Sequence, residues 1–387
     1  MIYRPIKEGA TVYSGYAFKK TDLNSNGDIP IIKIGNLVGN IVDYSKTDFI
    51  SSALVKDKYN KYFLANKDVL IAMTGQGSVG RVAQLRKKRN DTLLLNQRVG
   101  KFVCNCLLDN DYLFYVLSSK YYQEILFNLG YGSGQPNLNP ETILNVSIPF
   151  PDIKTQKRIA KLLATFDDKI ALNTAISENL EQQAQAIYSE MFLDKRSEKW
   201  QSGTLSDIAI ITMGQSPKGD TFNEIENGAV FYQGRTDFGF RFPTRRLYTT
   251  DPKRIARRGD VLMSVRAPVG DLNVAYEDCC IGRGLASVHS KDNHQSFVLY
   301  MLFTLKKQLD VFNGEGTVFG SINKDAFNSM EIVIPPINII DKFESIANPI
   351  DRIICNNYEE ICRFQTIRDT LLPKLMNGEI DVSEVKI

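Results

Sequence analysis

The sequence predicts an α+β protein in which two strand-rich domains are separated by two long antiparallel coiled-coil helices, arranged as a pseudo-two-fold internal repeat. Three observations predict it. The two halves repeat the same order of signals, and each half closes on a long heptad-patterned stretch. Between these stretches, glycine and proline turns punctuate short strand-like runs.

The first domain spans residues 1–150 and the second 197–336. Each opens with an amphipathic stretch ending in a glycine turn. At a shift of 199 residues, Ile6–Lys19 (IKEGATVYSGYAFK) lies over Leu205–Lys218 (LSDIAIITMGQSPK), with Gly15 over Gly214 and the closing lysines coincident. Strand-like segments follow, IPIIKIGN at 29–36 and AVFYQGR at 229–235. Then KDVLIAMTGQGSVG (67–80) matches GDVLMSVRAPVG (259–270). Each half next predicts a glycine-rich turn before an asparagine, at 131–139 and 314–323. An Ile-Pro exit follows at 147–151 and 333–336.

Residues 151–196 and 337–387 are the two spacer helices. The first seam runs Ile159, Leu163, Phe166, Ile170, Asn173, Ser177, Leu180, Ala184, Ile187, Met191, in alternating steps of four and three. A shift of 184 gives Phe343, Ala347, Ile350, Ile354, Asn357, Ile361, Phe364, Arg368, Leu371, Leu375. A helix of this length, roughly 33 residues, extends about 50 Å. Pro349 either kinks the second helix or marks its true start with Asn348 as the cap. Asn173 and Asn357 hold the same seam position, so antiparallel pairing is expected to bring them together and fix register. The alternative is that both face solvent at a loose point.

Composition narrows the function classes. With 43% hydrophobic and 24% charged residues the chain is globular in type. No apolar run approaches the 18–20 or so residues of a membrane span, and the first twenty residues lack a signal-peptide pattern, so a cytoplasmic protein with no membrane partner is expected. Cys104-x-Cys106, Cys279-Cys280 and the Cys355/Cys362 pair do not have zinc-site spacing, so the thiols read as reduced and structural. The net charge of +3 is uninformative, but its distribution is not. Arg81–Lys101 holds seven basic residues and one acid, and Arg235–Arg266 holds nine and three. One basic segment in each half points to two phosphate-facing surfaces.

Catalytic signals are weak. GQGSVG at 75–80 matches a dinucleotide fingerprint in form, yet the basic RVAQLRKKRN follows where a helix is needed, and no acid lies about twenty residues on. Gly100-Lys101 is followed by Phe102, so it is no Walker loop. His289 and His294 sit in a polar stretch without a nucleophile, and adjacent Asp167 and Asp168 on a helix point apart. No catalytic or metal site is expected.

DNA-reading chemistry is well supplied: arginine for guanine, Asn or Gln for adenine, and lysine, arginine and hydroxyls for phosphate. The candidates are Lys19, Lys33, Asn36, Gln76, Arg81, Gln97 and Arg98 in the first domain. The second offers Lys218, Gln233, Arg235, Arg245, Arg246, Arg257, Arg258, Arg266 and Arg283. Tyr16, Phe18, Tyr232, Phe238 and Phe240 interleave with them. Two rival readings stay open: a stand-alone nuclease or methyltransferase, and a regulator or scaffold that dimerises through its coiled coil.

Along nearly its whole length the sequence resembles the specificity subunits of type I restriction-modification systems. The residues that carry the resemblance are the openings at Gly15 and Gly214, KDVLIA and GDVLMS, GSGQPNLNPETILNVSIPFP, TQKRIAKLLATFDDKIALN and the closing LLPKLMNGEI. The second repeat lacks the glutamine that Gln156 supplies in the first. The resemblance implies two target-recognition domains, each reading half of a split, asymmetric double-stranded DNA site. It implies helices that set the half-site gap and dock two methyltransferase subunits, which bring S-adenosylmethionine. Restriction motor-nuclease subunits would add ATP- and magnesium-dependent cleavage. The chain itself would hold no cofactor and perform no catalysis.

Overall fold

The computed structural model describes residues 2–87, 91–131, 136–313 and 320–382. Much of both predicted glycine-rich turns, residues 132–135 and 314–319, lies outside them. The chain forms two compact units, residues 1–170 with 363–387, and residues 171–362. Each holds a strand-rich domain and a portion of both long helices.

In the first unit, strands Ala10–Ser14, Val99–Cys104, Val69–Ala72 and Val82–Gln84 lie side by side and antiparallel, extended by the short hairpin Leu37–Val38/Ile41–Val42. In the second unit Ala209–Met213, Leu285–Ser290, Val261–Ser264 and Leu272–Val274 repeat that order and sense. Val69–Ala72 and Val261–Ser264 are buried at every position. Their unbroken apolar runs therefore mark central strands covered on both faces. Each unit adds a second sheet containing one parallel pair: Ile29–Ile32 with Leu94–Leu95, and Ala229–Tyr232 with Cys279–Ile281. Each also ties its opening strand to its Ile-Pro exit, Tyr3–Pro5 with Ser147–Pro149 and Gln201–Thr204 with Glu331–Ile334.

The long helices run Ile153–Tyr188 and Ile337–Asn377. A π-helical turn, Ser189–Asp194, continues the first. The second passes through Pro349 unbroken, so Asn348 caps nothing; its side-chain amide instead donates to Glu344 at 3.3 Å. Ile159, Leu163, Leu372 and Leu375 join the first unit's core, while Ala184, Tyr188, Phe343 and Ala347 join the second's. None of the seam positions is exposed: Phe166, Ile170, Leu180, Ile187, Ile350, Ile361, Phe364 and Leu371 are half-buried, and Ile354 is buried.

No hydrogen bond joins Asn173 to Asn357. Asn173 donates to Glu360 at 2.8 Å and Asn357 to the buried Ser177 at 3.1 Å. Within the second unit the helices are antiparallel, and each asparagine bonds a residue three or four positions past the other. The polar interruption at Arg368 also has a cause: its guanidinium donates to Asp167 at 2.7 Å. Missing Gln156 in the second repeat is explained as well. In the first unit Gln156 is fully buried, accepting from Asp109 N–H at 2.8 Å and donating to the Leu107 and Pro151 carbonyls. In the second, Glu344 instead accepts from the N–H groups of Ser296 and Phe297 at the start of helix Gln295–Thr304.

Candidate nucleic-acid interface

One end of each central sheet carries the same loop frame, built from main-chain bonds. In the first unit Gly15 N–H donates to Val99 O at 3.1 Å, Tyr16 to Leu95 at 2.8 Å, Asn96 to Ile32 at 3.0 Å, Met73 to Arg98 at 3.0 Å and Leu138 to Met73 at 2.7 Å. In the second, Gly214 donates to Leu285 at 2.9 Å, Gln215 to Ile281 at 2.9 Å, Gly282 to Tyr232 at 2.8 Å, Val265 to Gly284 at 2.9 Å and Ile322 to Val265 at 3.1 Å. The five bonds correspond one to one. The paired glycines are demanded by contact: a Cβ on Gly15 would lie 2.3 Å from Leu95 O, and one on Gly214 2.2 Å from Gly282 O. Three loops are thus held at one sheet end in each unit, 15–19, 73–80 and 95–98, and 214–218, 265–270 and 281–285.

The predicted side chains divide sharply on this frame. Lys19, Gln76, Gln97 and Arg98 are exposed on the first unit's loops. Among the described residues no hydrogen bond or ion pair holds their side chains. Lys33 pairs with Asp48. Asn36 is buried, accepting from Lys33 N–H and donating to Asp43 O at 2.9 Å and Lys46 O at 3.2 Å, so it locks its own turn. Arg81 donates to Leu37 O at 2.8 Å and Gly77 O at 3.0 Å, bracing the glycine loop from beneath. Strand Val82–Gln84, not a helix, follows GQGSVG. Its glycines serve turn geometry: Gly75, Gly77 and Gly80 have φ of 111°, 73° and 81°.

In the second unit Lys218, Arg266 and Arg283 are exposed on the corresponding loops and Gln233 is exposed just after strand Ala229–Tyr232; again no described partner holds their side chains. Arg235 pairs with Asp271, Arg245 with Glu277 at 2.5 Å and Arg246 with the buried Asp237 at 2.8 Å. Arg257 and Arg258 precede strand Val261–Ser264, whereas Arg266 follows it, so the strand separates them. Arg258 turns to the second long helix, 3.6 Å from Glu359. Tyr232 is buried in the second sheet, while Phe240 is exposed.

The sequence reading missed a lysine–aromatic cluster beside the first unit's loops. Tyr16, Phe18, Tyr59 and Tyr62 pack with ring centroids 4.7–5.6 Å apart, and Lys58 lies 5.0 Å from the Tyr16 ring centre. Lys58 Nζ donates to the Tyr16 hydroxyl at 2.7 Å. That hydrogen bond holds the Tyr16 phenol below its ordinary range. The signal was the run DKYNKYF at 57–63, which has no counterpart in the second half.

The sequence reading also missed a charged contact between each domain and the long helices. Tyr115 donates to Asp167 at 2.7 Å in the first unit, and Tyr300 to Asp351 at 2.8 Å in the second. The two aspartates are related by the 184-residue repeat. An arginine completes each, Arg368 on Asp167 at 2.7 Å and Arg241 on Asp351 at 3.1 Å. Burial, the main cause, raises both tyrosine hydroxyls well above their ordinary range, so they stay protonated donors.

Among the described residues, no group of three or more His, Cys, Asp or Glu is placed to hold a metal. No described helix is long and apolar enough to cross a membrane. All six cysteines are free, and burial pushes the Cys104 thiol up to about 12.

A family model described as the type I restriction modification DNA specificity domain matches residues 3–182 and again 197–361. The putative type I restriction enzyme MjaX specificity subunit of Methanocaldococcus jannaschii is 29% identical over 381 residues, covering 91% of this chain and 87% of that protein. The type I restriction enzyme HindI specificity subunit of Haemophilus influenzae is 23% identical over 335 residues, covering 63% and 71%. The crystal structure of a type I restriction-modification S subunit from M. genitalium shares the fold, with a TM-score of 0.59 at 17% identity over 97% of this chain and 96% of that one.

Proposed function

The chain belongs to the type I restriction-modification DNA specificity family, and on that premise we propose that each domain reads one half of a split, asymmetric double-stranded DNA target. Residues 1–150 and 197–336 are the reading domains, and the helical segments 151–196 and 337–387 fix the half-site gap. The helices also dock two methyltransferase subunits, with restriction motor-nuclease subunits completing the assembly. S-adenosylmethionine, and ATP with magnesium for cleavage, belong to those partners; this chain binds no cofactor and is not a catalyst. Cytoplasmic placement follows from the same reading.

The observation that carries the reading is the duplicated loop frame. At the same sheet end of each unit it presents exposed Lys, Arg and Gln side chains that no described residue holds. Lysine and arginine neutralise phosphate, while Arg and Gln hydrogen-bond base edges. Exchanging residues 1–150 for those of a relative with another target tests it. One half of the methylated motif should change and the other persist; change in both halves, or in neither, would overturn the two-reader reading.

A further inference from the structure

The common frame separates residues that position DNA from residues that specify sequence. Lys19 and Lys218 occupy the same place in the two units. Each is exposed, and each contributes its carbonyl to the short helical turn that follows, to Asp22 N–H at 3.0 Å and to Thr221 N–H at 3.1 Å. An identical point charge in both domains cannot distinguish two half-sites, which suits phosphate. The tip of the loop between the paired strands differs. Counting from the equivalent bonds of Asn96 and Gly282, the next residue is Gln97 in the first unit and Arg283 in the second.

Both tips join a free side chain to a fixed main chain. Gln97 N–H donates to Tyr16 O at 2.9 Å, and Arg283 N–H donates to Ser216 Oγ at 3.2 Å. Each backbone is thereby tied to the segment that follows Gly15 or Gly214. Each side chain is exposed with no described partner. A polar head on an immobilised stem discriminates well, because little backbone order is lost on binding. Most other cationic candidates are already engaged by Asp48, Asp237, Asp271, Glu277, Glu359 or loop carbonyls.

Resting on the proposed DNA-reading function, we infer that Gln97 and Arg283 are equivalent specificity-determining residues, Gln97 reading an adenine in one half-site and Arg283 a guanine in the other. The chemistry follows from donor pattern. A glutamine amide both accepts from adenine N6 and donates to N7, whereas a guanidinium donates two hydrogen bonds to guanine O6 and N7. The residue pair predicts that the two half-sites differ at the corresponding base.

The test uses the complex of this chain with its cognate methyltransferase and a panel of duplexes, each with one base pair of the methylated motif replaced. The wild-type complex should lose about tenfold to a hundredfold in affinity when the guanine or adenine concerned is replaced. Arg283→Gln should move the preference at one position of one half-site from guanine to adenine. Gln97→Arg should make the reverse change in the other half. Arg283→Ala, the second variant, should abolish discrimination at that position and gain none. Uniform weakening across the panel would identify a phosphate contact and overturn the assignment, as would an unchanged panel. A wild-type complex with no split target would remove the parent reading and the assignment with it; a split target unaffected by these variants would remove the assignment alone.

Discussion

Replacing Arg241 with alanine should destabilise the second unit severely, and more so at alkaline pH. Its side chain is 4% exposed, with guanidinium nitrogens 2.9 Å from Glu181, 3.1 Å from Asp351 and 3.1 Å from the Tyr300 hydroxyl. The Glu181 contact is close but poorly aligned, leaving Oε1 without a directed donor. One buried cation therefore faces two carboxylates, one on each long helix. Truncating it strands both in a poorly solvated site, which costs about 3–5 kcal/mol. At about 2–4 °C per kcal/mol for a unit of this size, the melting temperature should fall by about 6–20 °C. Burial already raises the Glu181 pKa, with Arg241 opposing it. A carboxyl raised in the folded state holds extra protons there, so stability falls as pH rises from its unfolded value through its folded one. Removing Arg241 pushes Glu181 further in that direction. Thermal unfolding of the full-length variant should thus show a smaller deficit at pH 5 than at pH 8. A shift below about 2 °C, or a deficit that grows at pH 5, would refute the assignment of Arg241 as the counterion.

The loop frame makes two further predictions. Lys19→Ala and Lys218→Ala should each weaken every duplex alike, and each should reduce the slope of log affinity against log salt by about 0.9; a sequence-selective effect in a salt titration would contradict phosphate contact. Gly15→Ala and Gly214→Ala place a Cβ against a carbonyl oxygen and should each cost about 1–3 kcal/mol or more in denaturant unfolding, with altered DNA affinity because the loops share that contact. Wild-type stability in either variant would show that the frame yields without cost.

The repeat was legible because it lies in residues that serve the backbone. Gly15 and Gly214 recur because no side chain fits beside the neighbouring carbonyl, and KDVLIA and GDVLMS recur because both strands are covered on two faces. The seams were legible because burial on a helix follows a fixed period. What could not be read is what depends on register and long-range partners. Asn173 and Asn357 share a seam position, but only three-dimensional register sets them opposite Glu360 and Ser177. Local charge did not reveal that Arg81, Arg245 and Arg258 are spent within the protein while Arg283 is free, because Leu37, Glu277 and Glu359, which engage them, lie far away in sequence. Asn36 resembles an adenine reader in composition, yet nearby carbonyls claim its amide. Pro349 does not mark the start of the second helix, which begins at Ile337 and runs through it; the proline's absent N–H costs one hydrogen bond in a helix packed along its seam.

Long-read methylome sequencing of the host, with and without this gene, shows whether this chain supplies the sequence specificity of a methylating complex. Deletion should remove one split adenine-methylated motif, with two specific halves flanking a fixed gap, and leave other methylation intact. A methylome that includes such a motif and keeps it after deletion would contradict the claim that this chain supplies the sequence specificity.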